Sequence, residues 1–291
     1  MSLTLTNDVA SVTINEFGAE LTSFYHKLNN LEYIWSGDAK YWGRHAPVLF
    51  PIVGRLKDNT YYLDDQSYNM SQHGFARDLP FEITYQSATK ATFTLYSSEK
   101  TKEKYPYNFK LSIHYQLIEN NLKITYEINN PNPIPLPFAI GAHPAFKVPL
   151  KADEERSDYY LSLSPTKART FLPLKNGLLD LENKSLHNAK KIHLNPETFK
   201  NDALIFDLQA DETNICLKSR NHPYGVSLTT TDARFIGLWS NYPNSGQFVC
   251  IEPWWGITDT VNTTQQLSDK YGINILAPFD TFTTMYTISI Y

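Results

Sequence analysis

The segment from Gly246 to Asp259 reads Gly-Gln-Phe-Val-Cys-Ile-Glu-Pro-Trp-Trp-Gly-Ile-Thr-Asp. Its apolar residues Phe248 to Ile251 are strand formers, and they follow a turn of Pro, Asn, Ser and Gly at 243–246, which predicts a buried strand. Because proline has no N–H to donate, Pro253 predicts that this strand ends at Glu252. A carboxylate at the end of a buried strand is costly to desolvate unless a partner offsets the cost.

Two interpretations of Glu252 follow from this position. In the first interpretation, Glu252 is a general base whose pKa is raised by apolar walls, and Trp254 and Trp255 form an aromatic floor for a sugar. In the second, Glu252 lies at the rim of the strand and is bonded to backbone amides beside two packed tryptophans. The segment alone leaves both interpretations open.

The rest of the chain has the alternation and turn signals of further strands. One helix is predicted at 263–271, where Thr263 and Gln266 form a capping box and Gly272 follows the last turn. So many strands with so little helix predict an all-β protein, a single large antiparallel β-sandwich that forms one domain over residues 1–291. The predicted strands cover 9–14, 21–25, 61–63, 67–70, 81–86, 91–96, 110–118, 122–129, 159–163, 204–208, 215–218, 226–230, 235–239 and 281–290.

Composition restricts the partners and the compartment. The chain of 291 residues has 19 Tyr, 16 Phe and 5 Trp, which suits strands and also carbohydrate stacking. Its formal charge of −4 comes with scattered Lys and Arg, which argues against nucleic acid and anionic membrane as partners. Its 2 Cys exclude a disulfide framework. Without a secretory signal or a span of ~20 apolar residues, we expect a soluble cytoplasmic protein.

Two polar stretches in the first third of the chain are candidates for a binding site. Arg55 follows Gly54 after an apolar run, so it either reaches hydroxyl oxygens as a forked donor or pairs with Asp58 at the surface. His73 and Arg77 flank a Gly-Phe-Ala segment. His73 is either a site residue or a structural histidine bonded to a backbone carbonyl.

Two further stretches lie in the middle of the chain. His143 stands between Gly-Ala and Pro144, which restrict the backbone and fix the direction of the imidazole, as proton transfer requires. Asp202 follows Asn201 and precedes a buried run, so it either accepts sugar hydroxyls or caps the turn before it.

Taken together, these stretches resemble one family, the aldose 1-epimerases (galactose mutarotases). The resemblance extends from Phe17-Gly18-Ala19 to Glu252, and the family fold is a single large antiparallel β-sandwich. Many members have Asn where this chain has Gly54. The stretches that carry the resemblance, in order, are Gly54-Arg55, His73-Gly74, His143-Pro144, Asn201-Asp202 and Ile251-Glu252-Pro253. The stretches that most resemble the LacX-type branch are Pro47 to Arg55, His73 to Asp78 and Glu252-Pro253-Trp254.

The resemblance implies a role for each of these residues. Glu252 matches the general base that deprotonates the anomeric hydroxyl of a hexose, and His143 matches the acid that protonates the ring oxygen. His73 matches a second histidine near the ring oxygen, and Arg55 and Asp202 match residues that hold hydroxyls. We expect Glu252 and His143 to face each other across a pocket at one end of the sandwich, on opposite sides of the C1–O5 pair. No metal or other cofactor is implied, the partner is a small-molecule sugar, and the protein is a monomer or a homodimer.

The identity of the sugar depends on Arg77. In the family branch that acts on hexose 6-phosphates, an Arg at this place contacts phosphate, so Arg77 is a candidate substrate-binding residue. Because the chain has no wider basic cluster, we expect a neutral hexose such as galactose or glucose. A non-catalytic sugar-binding sandwich is one alternative. A glycosidase is another; its carboxyl pair would be Asp202 and Glu252, ~5–5.5 Å apart in retaining enzymes and ~6.5–9.5 Å apart in inverting ones.

Overall fold

The computed structural model describes residues 1–195, 197–243 and 246–291. The middle of the turn predicted at 243–246 therefore lies outside the described residues. The first strands are β1 (Ser2–Thr6), β2 (Ala10–Asn15), β3 (Glu20–His26), β4 (Leu31–Glu32), β5 (Val48–Leu49), β6 (Thr60–Leu63), β7 (Gln66–Asn69), β8 (Glu82–Gln86), β9 (Lys90–Tyr96), β10 (Lys110–Ile118), β11 (Asn121–Asn129), β12 (Leu136–Phe138), β13 (Ile140–Ala142) and β14 (Ala145–Lys147).

The second half of the chain has the same character. Its strands are β15 (Tyr159–Ser164), β16 (Arg169–Phe171), β17 (Leu174–Lys175), β18 (Leu178–Leu179), β19 (Ser185–His187), β20 (Ile192–His193), β21 (Leu204–Asp207), β22 (Thr213–Ser219), β23 (Gly225–Thr230), β24 (Phe235–Trp239), β25 (Phe248–Trp255), β26 (Asn274–Leu276) and β27 (Thr281–Ile290). The α-helix is α1 (Glu99–Lys102), and the 3₁₀ turns are Lys57–Asn59, Ala76–Asp78, Arg156–Asp158, Leu181–Asn183 and Leu267–Asp269.

Two large antiparallel sheets form the sandwich. The nine-stranded sheet has the order β20-β15-β22-β23-β27-β11-β10-β9-β8. The eight-stranded sheet has the order β19-β16-β21-β24-β25-β13-β5, and β14 also pairs with β25. The pairings in both sheets are antiparallel, which confirms the predicted fold class. Among the residues described, no helix combines the length and apolar character of a membrane span.

The main core lies between the two sheets. In β11 every second residue is buried, as alternation requires of a strand with one face on the core. In β25 all eight residues are buried. Val249, Ile251 and Trp255 of β25 belong to the main apolar cluster, whereas Cys250 and Trp254 belong to smaller clusters. The outward face of the eight-stranded sheet is therefore covered as well, by loops rather than by the other sheet.

The predicted end of β25 at Glu252 is wrong, because the strand continues through Pro253 to Trp255. The Ile251 N–H donates to the Pro144 carbonyl oxygen, so it points toward the strand edge that faces β13 and β14. The nitrogen of Pro253, two residues further along β25, points toward the same edge. On that edge the neighbouring strand is interrupted between β13 and β14. No ladder bond is lost at Pro253, and β24 pairs with β25 along the opposite edge.

The predicted helix at 263–271 is also wrong. The chain makes only the short turn Leu267–Asp269 there. Gln265 adopts a left-handed φ of 63°, which an α-helix does not tolerate, and its side chain donates to the Lys57 and Thr60 carbonyl oxygens. The segment instead forms a bridge to Tyr62, so long-range hydrogen bonds override the local helix signal.

Candidate active site

A pocket of about 380 Å³ opens over the outward face of the eight-stranded sheet. The floor comes from β21, β24 and β25, which contribute Ile205, Trp239, Glu252 and Trp254. The expectation of a site at one end of the sandwich is therefore replaced by a site on a sheet face. All six predicted site residues line this pocket: Arg55, His73, Arg77, His143, Asp202 and Glu252.

Glu252 and His143 form the centre of the site. Gly141 of β13 pairs with Trp254, and Ala145 of β14 pairs with Cys250, so β13 and β14 pair with β25 in the same register on both sides of the break between them. That register places His143 opposite Glu252, and the His143 Nε2 atom lies 3.2 Å from a Glu252 carboxylate oxygen. The two groups are in contact, so no ligand fits between them. The expected arrangement, with a sugar between the two groups on opposite sides of C1 and O5, is therefore wrong, and a ligand of the pocket would lie over the pair.

The surroundings of the pair favour its uncharged form. Burial raises the pKa of the Glu252 carboxyl well above its usual range, and the negative charge of Asp202 raises it further. Burial lowers the pKa of His143 to about 3, and the positive charges of Arg77 and Arg44 add to that effect. Glu252 and His143 are 1% and 8% exposed. Both shifts favour the form in which the pair holds one proton, on the carboxyl group.

Aromatic rings fix the imidazole of His143. Trp42 stacks on it with ring centroids 4.9 Å apart and an angle of 24° between the planes. Trp239 and His73 meet it edge-on at 5.7 Å and 5.6 Å. A ring held on three sides has little rotational freedom, which keeps its Nε2 atom directed at Glu252.

The second histidine is positioned by a tight turn. His73 and Gly74 both adopt left-handed φ values, of 68° and 71°. A side chain at Gly74 would lie 2.2 Å from the Phe50 carbonyl oxygen, so only glycine fits. The Gly54 N–H donates to the His73 Nδ1 atom, which leaves the ring hydrogen of the neutral imidazole on Nε2. The neutral ring therefore carries its donor on Nε2, which lies 3.2 Å from the Gln72 side-chain amide, and burial and the nearby His143 lower the pKa of His73.

Arg55 and Asp202 lie at the rim of the pocket and are exposed. The Arg55 backbone is anchored by Thr258, whose hydroxyl accepts from the Arg55 N–H at 2.9 Å. Among the residues described, the Arg55 guanidinium makes no ion pair with Asp58 or another acid. A side chain at Gly54 would meet the Thr258 Cβ at 2.4 Å, so the Asn that is common in the family has no space here.

Arg77 lines the pocket but is partly committed elsewhere. Its Nη2 atom donates to the Gln72 carbonyl oxygen at 2.7 Å, and its Nε atom lies 3.8 Å from Asp78. Arg44 forms a closer ion pair with Asp78, at 2.8 Å. The two guanidinium groups near the pocket thus share one carboxylate, which reduces the net positive charge available to a ligand.

Trp254 is built into the floor beside Glu252. Flanking strands place Gly141 and Gly237 under its indole ring, where a Cβ atom would lie 2.7 Å and 2.5 Å from ring carbons. Its Nε1 atom is buried without a hydrogen-bond partner among the described residues. The indole N–H lies near enough to Glu252 to lower the pKa of that carboxyl, opposing the effect of burial.

Several lining residues carry no clear signal in the sequence. Trp42 lies on the loop after Trp35, and Trp35 fixes that loop because its indole N–H donates to the Trp42 carbonyl oxygen at 2.9 Å. The run Tyr41-Trp42-Gly43 offered only a weak signal, since two adjacent aromatics are as common in cores as in sites. The lining residues that were missed are Tyr41, Trp42, Gln72, Leu174, Gly177, Ala203, Ile205, Trp239, Asn241 and Thr258.

Comparison with known proteins adds to this geometry. The family model for aldose 1-epimerase matches residues 1–273. The chain is 31% identical to the chromosomal protein LacX of Lactococcus lactis subsp. lactis, covering 100% of this chain and 99% of that protein. A galactose mutarotase related enzyme from Lactobacillus acidophilus is 37% identical, with a TM-score of 0.98 over 100% of this chain and 97% of that one. A galactose mutarotase-like protein from Lactobacillus casei is 30% identical, with a TM-score of 0.90 over 100% of both chains.

Proposed function

The chain belongs to the aldose 1-epimerase family, and on that premise we propose that it interconverts the α and β anomers of a hexose. The reaction opens and closes the pyranose ring by proton transfer at C1 and O5. One observation carries the proposal: an imidazole nitrogen and a carboxylate oxygen lie 3.2 Å apart on the floor of a sugar-sized pocket. Both oxygens of the hemiacetal are bonded to C1, so two adjacent protein groups reach them from one side.

The proton transfers balance within the pair. The proton that the pair holds first passes from the Glu252 carboxyl group to His143 across their 3.2 Å contact. The Glu252 carboxylate then takes the proton of the anomeric O–H, the C1–O5 bond breaks as C1=O forms, and O5 takes a proton from the protonated imidazole of His143. Rotation about the C1–C2 bond turns the other face of the aldehyde toward O5, and the reverse steps close the second anomer. The pair holds one proton before and after each half-reaction, and its 3.2 Å contact allows that proton to return to His143.

The remaining residues orient the sugar. The His73 Nε2–H is placed to donate to the ring oxygen region, because its ring lies 5.6 Å from that of His143. Arg55 and Asp202 at the rim offer a forked donor and an acceptor to ring hydroxyls. Orientation of this kind accelerates reactions by holding the reacting atoms in position before the chemical step.

The geometry favours this reaction over the alternatives. A purely sugar-binding sandwich has no need of a carboxyl group that is 1% exposed, since burying such a group is costly. A glycosidase needs two carboxyl groups across the scissile bond, but the group in contact with Glu252 is an imidazole and Asp202 is exposed. A neutral hexose is preferred to a hexose 6-phosphate, because Asp78 pairs with Arg44 and lies near Arg77.

The test is the mutarotation of freshly dissolved α-D-galactose and α-D-glucose, followed by polarimetry or by NMR of the anomeric protons. We expect an approach to equilibrium faster than the spontaneous reaction, in proportion to enzyme concentration and without added metal. The same assay on glucose 6-phosphate compares the neutral and phosphorylated substrates. Sugar binding in calorimetry without any acceleration for these sugars would contradict the proposal and favour a binding protein.

A further inference from the structure

A third potential ligand lies beside the reacting pair. Cys250 and Glu252 are two residues apart on β25, so their side chains share the outward face of the sheet. His143 reaches the same point from the neighbouring strand position. One ligand atom from each of the three residues lies within 4.8 Å of the other two. Imidazole nitrogen, thiolate sulfur and carboxylate oxygen are the three ligand types that Zn²⁺ uses in proteins.

The separations are close to those of a zinc site. Zinc bonds of about 2.0–2.3 Å in a tetrahedron place neighbouring ligand atoms about 3.3–3.8 Å apart. The His143 Nε2 atom and the Glu252 oxygen, 3.2 Å apart, are close to that spacing. A sulfur that lies at most 4.8 Å from them needs to approach by at most about 1–1.5 Å, a movement that rotation of the side chains can supply.

A thiolate and a carboxylate together offset the two positive charges of such an ion, and the sugar pocket gives it access. Burial raises the pKa of the Cys250 thiol, but a bound dication favours the ionised forms of thiol and carboxyl groups and offsets this effect. His143 and Glu252 line the sugar pocket, so an ion can enter there, and the pocket side is left for a water molecule.

We propose that His143, Cys250 and Glu252 bind one Zn²⁺ ion that enters through the sugar pocket and inhibits the protein. The ion takes the place of the proton that His143 and Glu252 share, so it removes both the acid and the base from ring opening. The inhibition rests on the proposed function, whereas the binding does not. Since ion and sugar need the same two side chains, they exclude one another.

Binding is tested first, without turnover. ZnCl₂ is titrated calorimetrically into chelator-treated protein, and CoCl₂ is titrated while the near-ultraviolet thiolate-to-cobalt absorption is recorded. We expect one ion per chain and a cobalt–thiolate band. Cys250→Ser should lose the band and weaken zinc binding by at least about tenfold, as expected for loss of a ligand. Cys216→Ser is the matched control, because Cys216 lies on β22 in the nine-stranded sheet. This variant should keep the cobalt–thiolate band and the zinc affinity of the wild-type protein.

Turnover is tested second. Zinc should raise the KM for the sugar and leave kcat unchanged in the wild-type protein and in Cys216→Ser, while Cys250→Ser should resist inhibition by at least about tenfold in zinc concentration. Failure of wild-type protein to bind zinc, or a cobalt complex without the thiolate band, overturns the inference even if Cys250→Ser does not fold. Zinc binding by a protein without mutarotase activity would instead refute the proposed function and leave the site standing.

Discussion

His143, in the break between β13 and β14, lies opposite Glu252 of β25, and the His143 Nε2 atom lies 3.2 Å from a Glu252 carboxylate oxygen. Direct contact makes the two groups one proton-holding unit. Replacing both side chains should therefore raise the activation free energy by less than the sum of the two separate increases.

The first prediction concerns this unit. Glu252→Gln and His143→Asn should each lower kcat for mutarotation by about 10²–10⁴, the usual contribution of one acid or base. The double variant should be little slower than the slower single variant. Polarimetry on fresh α-anomers gives the rates, and sugar affinity by calorimetry shows whether binding is retained. Near-normal turnover of Glu252→Gln on each accepted hexose would reassign the base.

The second prediction concerns Trp254, a positioning residue that acts through Glu252. Trp254→Phe keeps a ring over Gly141 and Gly237 but removes the N–H that favours the ionised carboxylate. Because this N–H makes no full hydrogen bond within the described part of the chain, its effect should be smaller than the about 1.5–3 kcal/mol of a hydrogen bond to a charged group, so kcat should fall by up to about tenfold with KM little changed.

The pH profile separates this role from a structural one. Without the indole N–H the pKa of Glu252 rises further, so the rising limb of kcat against pH should move to higher pH. Trp255→Phe is the control, because the Trp255 N–H donates to Asp232 and its ring belongs to the main core. An unshifted profile in Trp254→Phe would show that its N–H does not act on Glu252.

The third prediction concerns Arg77 and the choice of substrate. Because Arg77 donates to the Gln72 carbonyl oxygen and lies near Asp78, we expect Arg77→Ala to lower kcat/KM about equally for glucose and glucose 6-phosphate. The steady-state ratio of the two substrates is the measurement. A loss confined to glucose 6-phosphate would identify Arg77 as a phosphate ligand and reverse the preference for a neutral hexose.

The fourth prediction concerns stability away from the pocket. Burial raises the pKa of Glu154, but hydrogen bonds from Ser219, Tyr159 and His222 outweigh burial, so the pKa lies below its usual range. The ionised carboxylate therefore stabilises the fold above the unfolded pKa, near 4.5, and this contribution is lost as the pH falls through the folded pKa.

Glu154→Gln should accordingly lower the free energy of unfolding by about 1.5–3 kcal/mol at pH 7, as expected for hydrogen bonds to a charged group. The difference from wild type should shrink at pH values below the unfolded pKa. Urea denaturation at several pH values measures it, and the exposed Asp153→Asn is a neighbouring control. A difference that stays constant with pH would mean that the Glu154 charge contributes nothing.

The fold was predictable where sequence and packing carry the same signal. Apolar and polar residues alternate from Lys110 to Leu117, and the predicted bounds 110–118 agree with β10 because the apolar face of this strand meets the core. The local sequence pattern fails to predict the backbone conformation where partners distant in the sequence determine it. The segment after Thr263 has a helix-like pattern, yet Gln265 bonds to residues about two hundred positions earlier in the chain.

The residues that line the pocket were partly predictable, but their arrangement was not. Motif order suggested His143 and Glu252 as candidate site residues, and both line the pocket. Their direct contact depends on the register of three strand segments that no local pattern encodes. The same register brings Cys250 beside them, a proximity that spacing along the chain does not reveal. Trp42 was missed for a related reason, since only the fold stacks its ring on His143.

The pocket draws its floor and its rim from different kinds of structure. The reacting groups sit on or between paired strands, whereas Arg55, Arg77, Gly177 and Asp202 come from connecting segments. Loops accept substitutions and insertions that a hydrogen-bonded ladder does not. Under the proposed function, ring opening and the choice of sugar can therefore change independently over evolutionary time. Exchange of rim loops between relatives should then redirect selectivity and leave the contact between His143 and Glu252 intact.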